Sequence, residues 1–435
     1  MSNIADAISR DDARQRDRED PLASFPGEFF INDPGVCYLD GNSLGRLPLR
    51  TKSTIEQFLT TEWGTELVDG WSHWIDEAQR AGDRLAEVAL GAGSAQTLVT
   101  DTTSVNLYQL LRAVVDSRPG KSTIVVDSAN FPTDRYIVHG IARERGLHVV
   151  TLDVDGSGGP GAVSVETDAD LITPELLAPH LTDEIAVVTL QVVNYRSGAR
   201  VDVKAINELA GARGIPVVWD CSHAVGSVNL DFDGTGVELA VGCTYKYLNA
   251  GPGAPGWLFV RKSWQDTLQV PIQGWFAQAD QFVMGPEFDR ADGIRGFEIA
   301  SPPIMGIRSV QSSLEMLAEA GIEAIEKKAQ QGTSMMVDLY DQWLAPLGFD
   351  LLTPREPSMR GGHITVTHPE AKQIAYALRV IAGVVPDYRE PSSIRLAMSP
   401  LANSYEEVWE GLHRLKELVE SGRYREAGVQ SGRVT

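Results

Sequence analysis

The sequence predicts an α/β fold: a large, mostly parallel sheet of the seven-stranded type covered by helices, followed by a smaller α+β domain. Seven short apolar runs alternate with helical or loop stretches between about residues 85 and 260. The runs are apolar throughout rather than alternating in polarity, which marks strands buried on both faces. Beyond about residue 305 the texture changes to long helical patterns with short strands between them.

The elements follow in chain order. Residues 1–20 are polar and charged and read as a frayed arm or a short surface helix. Thr97–Thr100 reads as a strand, and a helix follows it with Leu107, Leu110, Leu111 and Val114 on one face. Ile124–Val126, His148–Leu152 and Ile185–Leu190 are further strands. The Gly-rich stretch DGSGGPGA at 155–162 reads as a surface loop. Ile206, Leu209 and Ala210 recur at helical spacing within Val203–Arg213, and Gly214 stops that helix. Ile215–Trp219, Leu239–Cys243 and Trp257–Val260 complete the strands of the large domain. Toward the C-terminus, a helix carries Val310, Leu314 and Leu317, and another carries Val408, Leu412, Leu415 and Val419. Ser404 followed by Glu407 has the spacing of a capping box at the start of the latter. His363–Thr367 and Ile394–Ala397 are short strands between the helices. The expected division is an N-terminal segment over 1–65 that packs with the small domain, a large domain over 66–304 and a small domain over 305–435.

Bulk properties narrow the function classes. The chain has 435 residues, with 38 Lys+Arg against 59 Asp+Glu and a formal net charge of −21. Such a field repels polyanions, so nucleic acid and anionic membrane are not expected partners. An anionic small molecule would need a local cation to hold it. Cys37, Cys221 and Cys243 form no CxxC pair, so neither a disulfide framework nor a zinc site is expected. The N-terminus lacks an apolar signal core and no run is long enough to span a bilayer, so a cytoplasmic protein is expected.

The stretch VGCTYKYLNAGPG at 241–253 carries the first chemical signal. Lys246 follows an apolar strand, although lysine is rarely buried unless something pairs with it or removes its charge. Asp220 follows another strand, and open α/β sheets bind ligands outside the carboxyl ends of their strands. A lysine and a carboxylate gripping one ligand suit pyridoxal phosphate: the lysine binds its aldehyde and the acid keeps its ring nitrogen protonated. The alternative is a plain salt bridge between the two. Thr103 and Ser104 stand where a helix N-terminus would bind phosphate, or serve as an ordinary cap. Phe131 in NFPTD stands beside a turn where it could stack on a flat ring, or it belongs to a simple proline turn. His223 is three residues beyond Asp220 and is either near the same ligand or structural.

Taken together, GNSLG, DTTSVNL, FPTD, WDCSHAVG and TYKYLNAGPG occur in an order and spacing that resembles the kynureninase family, fold-type-I pyridoxal-phosphate hydrolases. The resemblance runs from YLDGNSLGRLP (38–48) to SIRLAMSPLANS (393–404). It implies that Lys246 holds the cofactor covalently, Asp220 faces the ring nitrogen and His223 lies near the phenolic oxygen. It implies that Thr103, Ser104 and Tyr245 bind the phosphate, that Phe131 stacks on the ring and that Asp134 supports its loop. Trp275 would reach the phosphate from the second subunit of a homodimer. Arg395 would clamp the substrate α-carboxylate, a role suited to a forked guanidinium, and Ser43 would line the pocket. Tyr245 would also donate the proton that finishes the reaction. Ser301, where the family has Asn or Thr, and Trp71 and His73, in a loosely matching segment, are expected near the substrate's aromatic ring.

The implied activity is hydrolysis of L-kynurenine, or 3-hydroxykynurenine, to anthranilate or its hydroxy form plus L-alanine, a step of tryptophan catabolism. Two other enzyme readings stay open: the same chemistry on a substituted kynurenine, and a cysteine desulfurase or lyase of the same fold. The latter requires a nucleophilic cysteine on a mobile loop. A non-catalytic cofactor-binding regulator would need a basic DNA-binding module, which the sequence lacks.

Overall fold

The computed structural model of the chain describes residues 8–428. Fourteen strands occur among them. In chain order they are β1 (Cys37–Tyr38), β2 (Thr97–Val99), β3 (Thr123–Asp127), β4 (His148–Asp153), β5 (Val163–Ser164), β6 (Ile185–Gln191) and β7 (Val217–Asp220). There follow β8 (Leu239–Gly242), β9 (Trp257–Val260), β10 (Asp350–Leu351), β11 (His363–Thr367), β12 (Val384–Val385), β13 (Asp387–Arg389) and β14 (Ser393–Ala397). The large sheet has the order β2-β9-β8-β7-β6-β3-β4-β5. Only β9 runs against its neighbours; every other pair in this sheet is parallel. The sheet therefore has eight strands rather than seven. The extra one, β5, is a two-residue exposed edge just after the Gly-rich loop, too short to leave an apolar signal.

The strands β3, β6, β7 and β8 are buried along their whole length, as expected of a sheet with helices on both faces. The helix Thr103–Asp116 buries Leu107, Leu110, Leu111 and Val114 in the same core. The helix Val203–Gly211 begins at Asp202, whose side chain accepts from the Ala205 N–H. The helix Ile304–Ala320 also belongs to this core through Ile307, Val310, Leu314 and Leu317. The chain changes core inside the next helix, Ile322–Leu339: Ile325 joins the first cluster, Met335 and Met336 the second.

The second cluster lies between the antiparallel sheet β10-β11-β14-β13 and the helices Ala371–Val380 and Tyr405–Glu420. The N-terminal segment contributes to both cores. Leu22, Phe25 and Phe29 pack in the first; Ala13, Cys37 and Leu39 pack in the second, where β1 pairs in parallel with β12. Of the two readings for residues 1–20, the structure shows a helix, Arg10–Glu19, with a Ser9/Asp12 capping box. It is docked rather than frayed, for Asp17 accepts the Tyr405 and Glu406 N–H groups at 2.7 and 2.9 Å.

Only half of the expected box at Ser404 forms. The Ser404 hydroxyl accepts from the Glu407 N–H at 3.0 Å. The Glu407 carboxylate instead turns toward Arg46, Asn403 and the Tyr38 N–H, tying the GNSLG loop to the C-terminal helix. No helix among the described residues is long and apolar enough to cross a membrane.

Candidate active site

Lys246 lies four residues beyond β8, in a turn closed by backbone bonds from Asn249 N–H to Lys246 and from Ala250 N–H to Thr244. Its side chain is only 9% exposed, and its Nζ is 2.8 Å from His223 Nε2. Phe131 and Tyr245 present ring faces 5.8 and 5.9 Å from the same nitrogen. Burial pushes the Lys246 amine below its ordinary pKa and holds His223 well below its own. Lowering the pKa of the amine beside the imidazole favours the uncharged form that a nucleophilic lysine needs. His223 Nδ1 has no hydrogen-bond partner among the described residues.

Asp220 ends β7 and accepts from the Ser222 N–H and hydroxyl at 2.9 and 2.6 Å. Asp134, in the first turn of the helix Pro132–Arg145, faces Asp220 rather than merely bracing its own loop. Burial, and then the Asp220 charge, raise Asp134 well above the usual carboxylate range. Asp134 therefore favours its protonated form beside Asp220, and its Oδ2 is buried without a partner. Such a pair fits a protonated ring nitrogen.

Thr103 and Ser104, the residues expected at the phosphate, open a helix. Thr102, not Thr103, caps the helix Thr103–Asp116 by accepting from the Val105 N–H. That leaves the half-buried Thr103 and the exposed Ser104 in the first turn, with hydroxyls not spent on capping. The loop before them crosses Gly256, where a Cβ would lie 2.8 Å from the Thr103 nitrogen, so only glycine lets the strands approach. Tyr245 is half-buried, and both the neighbouring Cys243 and burial keep its phenol protonated.

Arg395, on β14, is fully buried. Its guanidinium donates to the Asp387 carboxylate, to the Tyr195 carbonyl at 2.6 Å and to the Ser43 hydroxyl at 3.0 Å. The GNSLG loop carrying Ser43 is joined to Tyr245 by the Gly45 N–H, which donates to the Tyr245 carbonyl at 2.7 Å. A Cβ on Gly45 would lie 2.4 Å from the Lys246 carbonyl oxygen. The segments carrying Lys246 and Arg395 are thereby held to one loop.

Four expected site residues lie elsewhere in the single chain. Trp71 packs edge-on to Trp74 and near Phe276, with ring centroids 5.6 and 6.1 Å apart. His73 is held by Glu66 at 2.7 Å. Trp275 is 49% exposed, packs on Phe276 and donates its Nε1–H to the Gln281 carbonyl. Ser301 is exposed. His73, Trp71 and Trp275 form one group through Trp74 and Phe276, and none of these contacts is with Lys246, His223 or Arg395 among the described residues.

Sequence reasoning passed over Ser222, Tyr195, His363 and Asp387. Ser222 stood in view within WDCSHAVG. Tyr195 packs edge-on to Phe131 at 5.2 Å, and the His363 ring lies 5.6 Å from that of His223; both arrive from distant segments.

Comparison with known proteins bears on this geometry. A family model described as the kynureninase C-terminal domain matches residues 325–415. The kynureninase of Pseudomonas fluorescens is 33% identical over 430 residues, covering 97% of this chain and 98% of the relative. That of Deinococcus radiodurans is 34% identical over 416 residues, covering 94% and 96%. Among solved structures, a cysteine desulfurase from Thermococcus onnurineus superposes with a TM-score of 0.75 at 16% identity, covering 94% of this chain and 98% of that one. A mutant of C-DES with glycine covalently linked to its PLP cofactor gives 0.77 at 18% identity, covering 91% and 98%. These last two show the shared fold.

Proposed function

The chain belongs to the kynureninase family, and on that premise we propose that it hydrolyses the Cβ–Cγ bond of L-kynurenine, yielding anthranilate and L-alanine with pyridoxal phosphate as cofactor. One observation carries this reading. The likeness to kynureninases runs over nearly the whole chain, and it spans a buried lysine, two neighbouring buried carboxyl groups and a buried arginine within electrostatic reach of one another.

The described residues fit the cofactor. Lys246 would hold it, with Phe131 against its ring, Asp220 and Asp134 at the ring nitrogen and His223, whose Nδ1 is unpartnered among the described residues, near the phenolic oxygen. Thr103, Ser104 and Tyr245 would hold the phosphate. When bound, pyridoxal phosphate supplies an electron sink for the carbon left with the bonding pair. Arg395 and Ser43 orient the substrate by its α-carboxylate. Lys246 Nζ, its pKa lowered by burial, takes the proton from Cα and returns it there before alanine leaves. Water adds at the γ-carbonyl, the Cβ–Cγ bond breaks, and the water oxygen leaves in the new aryl carboxylate. Tyr245, held protonated, donates to Cβ and completes the methyl group of alanine.

Finer points belong to the same proposal. The active form is a homodimer in the cytoplasm, and Trp275 completes the partner's site; Trp71 and His73 stand with it on that face through Trp74 and Phe276. Exposed apolar side chains near these residues support the shared face, including Phe282 at 66% and Met284 at 76%. The large core holds the cofactor, and the small core, which the chain enters within the helix Ile322–Leu339, carries Arg395. The arm over 1–65 bridges them through Ser43.

The lyase reading loses support, because Cys37, Cys221 and Cys243 are all buried and burial pushes the Cys37 thiol up to about 11. Borohydride reduction followed by mass spectrometry should place the pyridoxyl group on Lys246; a different lysine overturns the assignment. Turnover of kynurenine and 3-hydroxykynurenine should differ by no more than about a thousandfold, since a pocket that only leaves room discriminates weakly. Failure to hydrolyse either overturns the function.

A further inference from the structure

The anion subsite contains more than its expected arginine. Asp387 and Arg395 are directly paired residues on the adjacent antiparallel strands β13 and β14. Side chains of such a pair project from the same face of a sheet. Asp387, fully buried, takes the Arg395 guanidinium on its Oδ2. Arg389 stands two residues along β13, on the same face, and its Nε donates to that same Oδ2 at 2.9 Å. Two guanidiniums thus meet at one carboxylate oxygen.

The charge count around them is uneven. Asp40, whose Oδ2 is 3.6 Å from Arg379, is the other acid of this group. In their ion pairs Arg395 and Arg389 share the single acid Asp387, and Arg379 lies beside Asp40. Arg395 is fully buried and shares its one carboxylate with Arg389, so an entering anion would give the two guanidiniums a second partner. Arg389 uses only Nε in hydrogen bonds among the described residues, and its side chain is 26% exposed, so its Nη donors remain available. Its charge also reaches Lys246 and His223.

We propose that Asp387 is a positioning residue that fixes Arg395 and draws Arg389 beside it, so that two arginines together hold the substrate α-carboxylate. Asp387 sets the orientation of both guanidiniums. Ser43 and the Tyr195 carbonyl then restrict Arg395 to one rotamer, and Arg389 closes the outer side of the subsite. This rests on the functional reading above, in which Arg395 meets the α-carboxylate.

The test separates the carboxylate from the amine. The holoenzyme is titrated with L-alanine and with ethylamine, which has the amine but no carboxylate, and binding is read from cofactor absorbance. Arg389→Gln should weaken L-alanine by about threefold or more, and Asp387→Asn by about tenfold or more, with ethylamine changed less than about twofold. KM for kynurenine should rise in parallel. If Asp387→Asn does not fold or hold cofactor, Arg389→Gln decides alone. Equal weakening of both amines, or unchanged L-alanine binding in Arg389→Gln, overturns the proposal. If the unmodified enzyme binds L-alanine but does not hydrolyse kynurenine, the functional reading fails while the arginine pair stands.

Discussion

Lys246 was legible in the sequence because its surroundings contradict its chemistry. A lysine following an apolar strand and flanked by tyrosines needs a partner, and the structure supplies a neutral histidine in place of a carboxylate. Asp134 was only half legible: its motif marked it, but its pairing with Asp220 depends on two helix and strand ends meeting in space. Glu298 left no signal at all. It is 2% exposed, with Oε1 unpartnered, and burial raises its carboxyl to about 8. The native state therefore keeps a proton that the unfolded chain gives up near its ordinary value of 4.5. This contribution to stability is present at low pH and is lost as pH rises toward and through about 8. Glu298→Gln removes the ionisation, so the variant's Tm relative to the parent should climb between about pH 5.5 and about pH 8.5 and then level off. A constant difference in Tm across that range would show that Glu298 is charged in the fold.

At the scale of elements, apolar patterning located nearly every buried strand to within a residue or two, because complete burial demands an apolar run. What it could not supply was register. Asp387 and Arg395 are eight positions apart, a spacing that means nothing until β13 and β14 pair. The same holds for Glu407, whose position suggested a local cap. The cap spacing was right for Ser404, but stronger donors compete for the carboxylate: a guanidinium, an amide and a backbone N–H. Glu407 is therefore a clasp between the GNSLG loop and the C-terminal helix, with its side chain 16% exposed. Glu407→Ala would leave Arg46 and the Tyr38 N–H without their acceptor. The loss should be about 2–4 kcal/mol, larger than for a surface pair because buried donors are left unsatisfied. Because Ser43 rides on the same loop, KM for kynurenine should rise as well. Chemical denaturation and steady-state kinetics check both. A variant as stable as the parent would show that the clasp is dispensable.

For the whole molecule, the site divides between what one chain assembles and what it leaves outside. Lys246, His223, Asp220, Asp134, Arg395 and Ser43 converge across both cores of one chain. Trp275 does not. It lies on an exposed face with Phe282, Val283 and Met284, an apolar group that a monomer in water would hold at a cost. A two-fold dimer would bury that face against its own copy and carry Trp275 toward the partner's phosphate loop. Mixing two inactive variants distinguishes this from a site complete in one chain. Lys246→Ala lacks the cofactor lysine, and Trp275→Ala is expected to bind cofactor poorly. If Trp275 acts across the interface, each mixed dimer has one intact site, built from Lys246 of one chain and Trp275 of the other. Random reassociation makes about half of the dimers mixed, so activity should return to about a quarter of that of the unmodified enzyme. If Trp275 acts within its own chain, neither site of the mixed dimer is intact and no activity returns. Size-exclusion chromatography of each variant before mixing establishes that both are dimeric, so that a failure to recover activity counts against the interface role rather than against assembly.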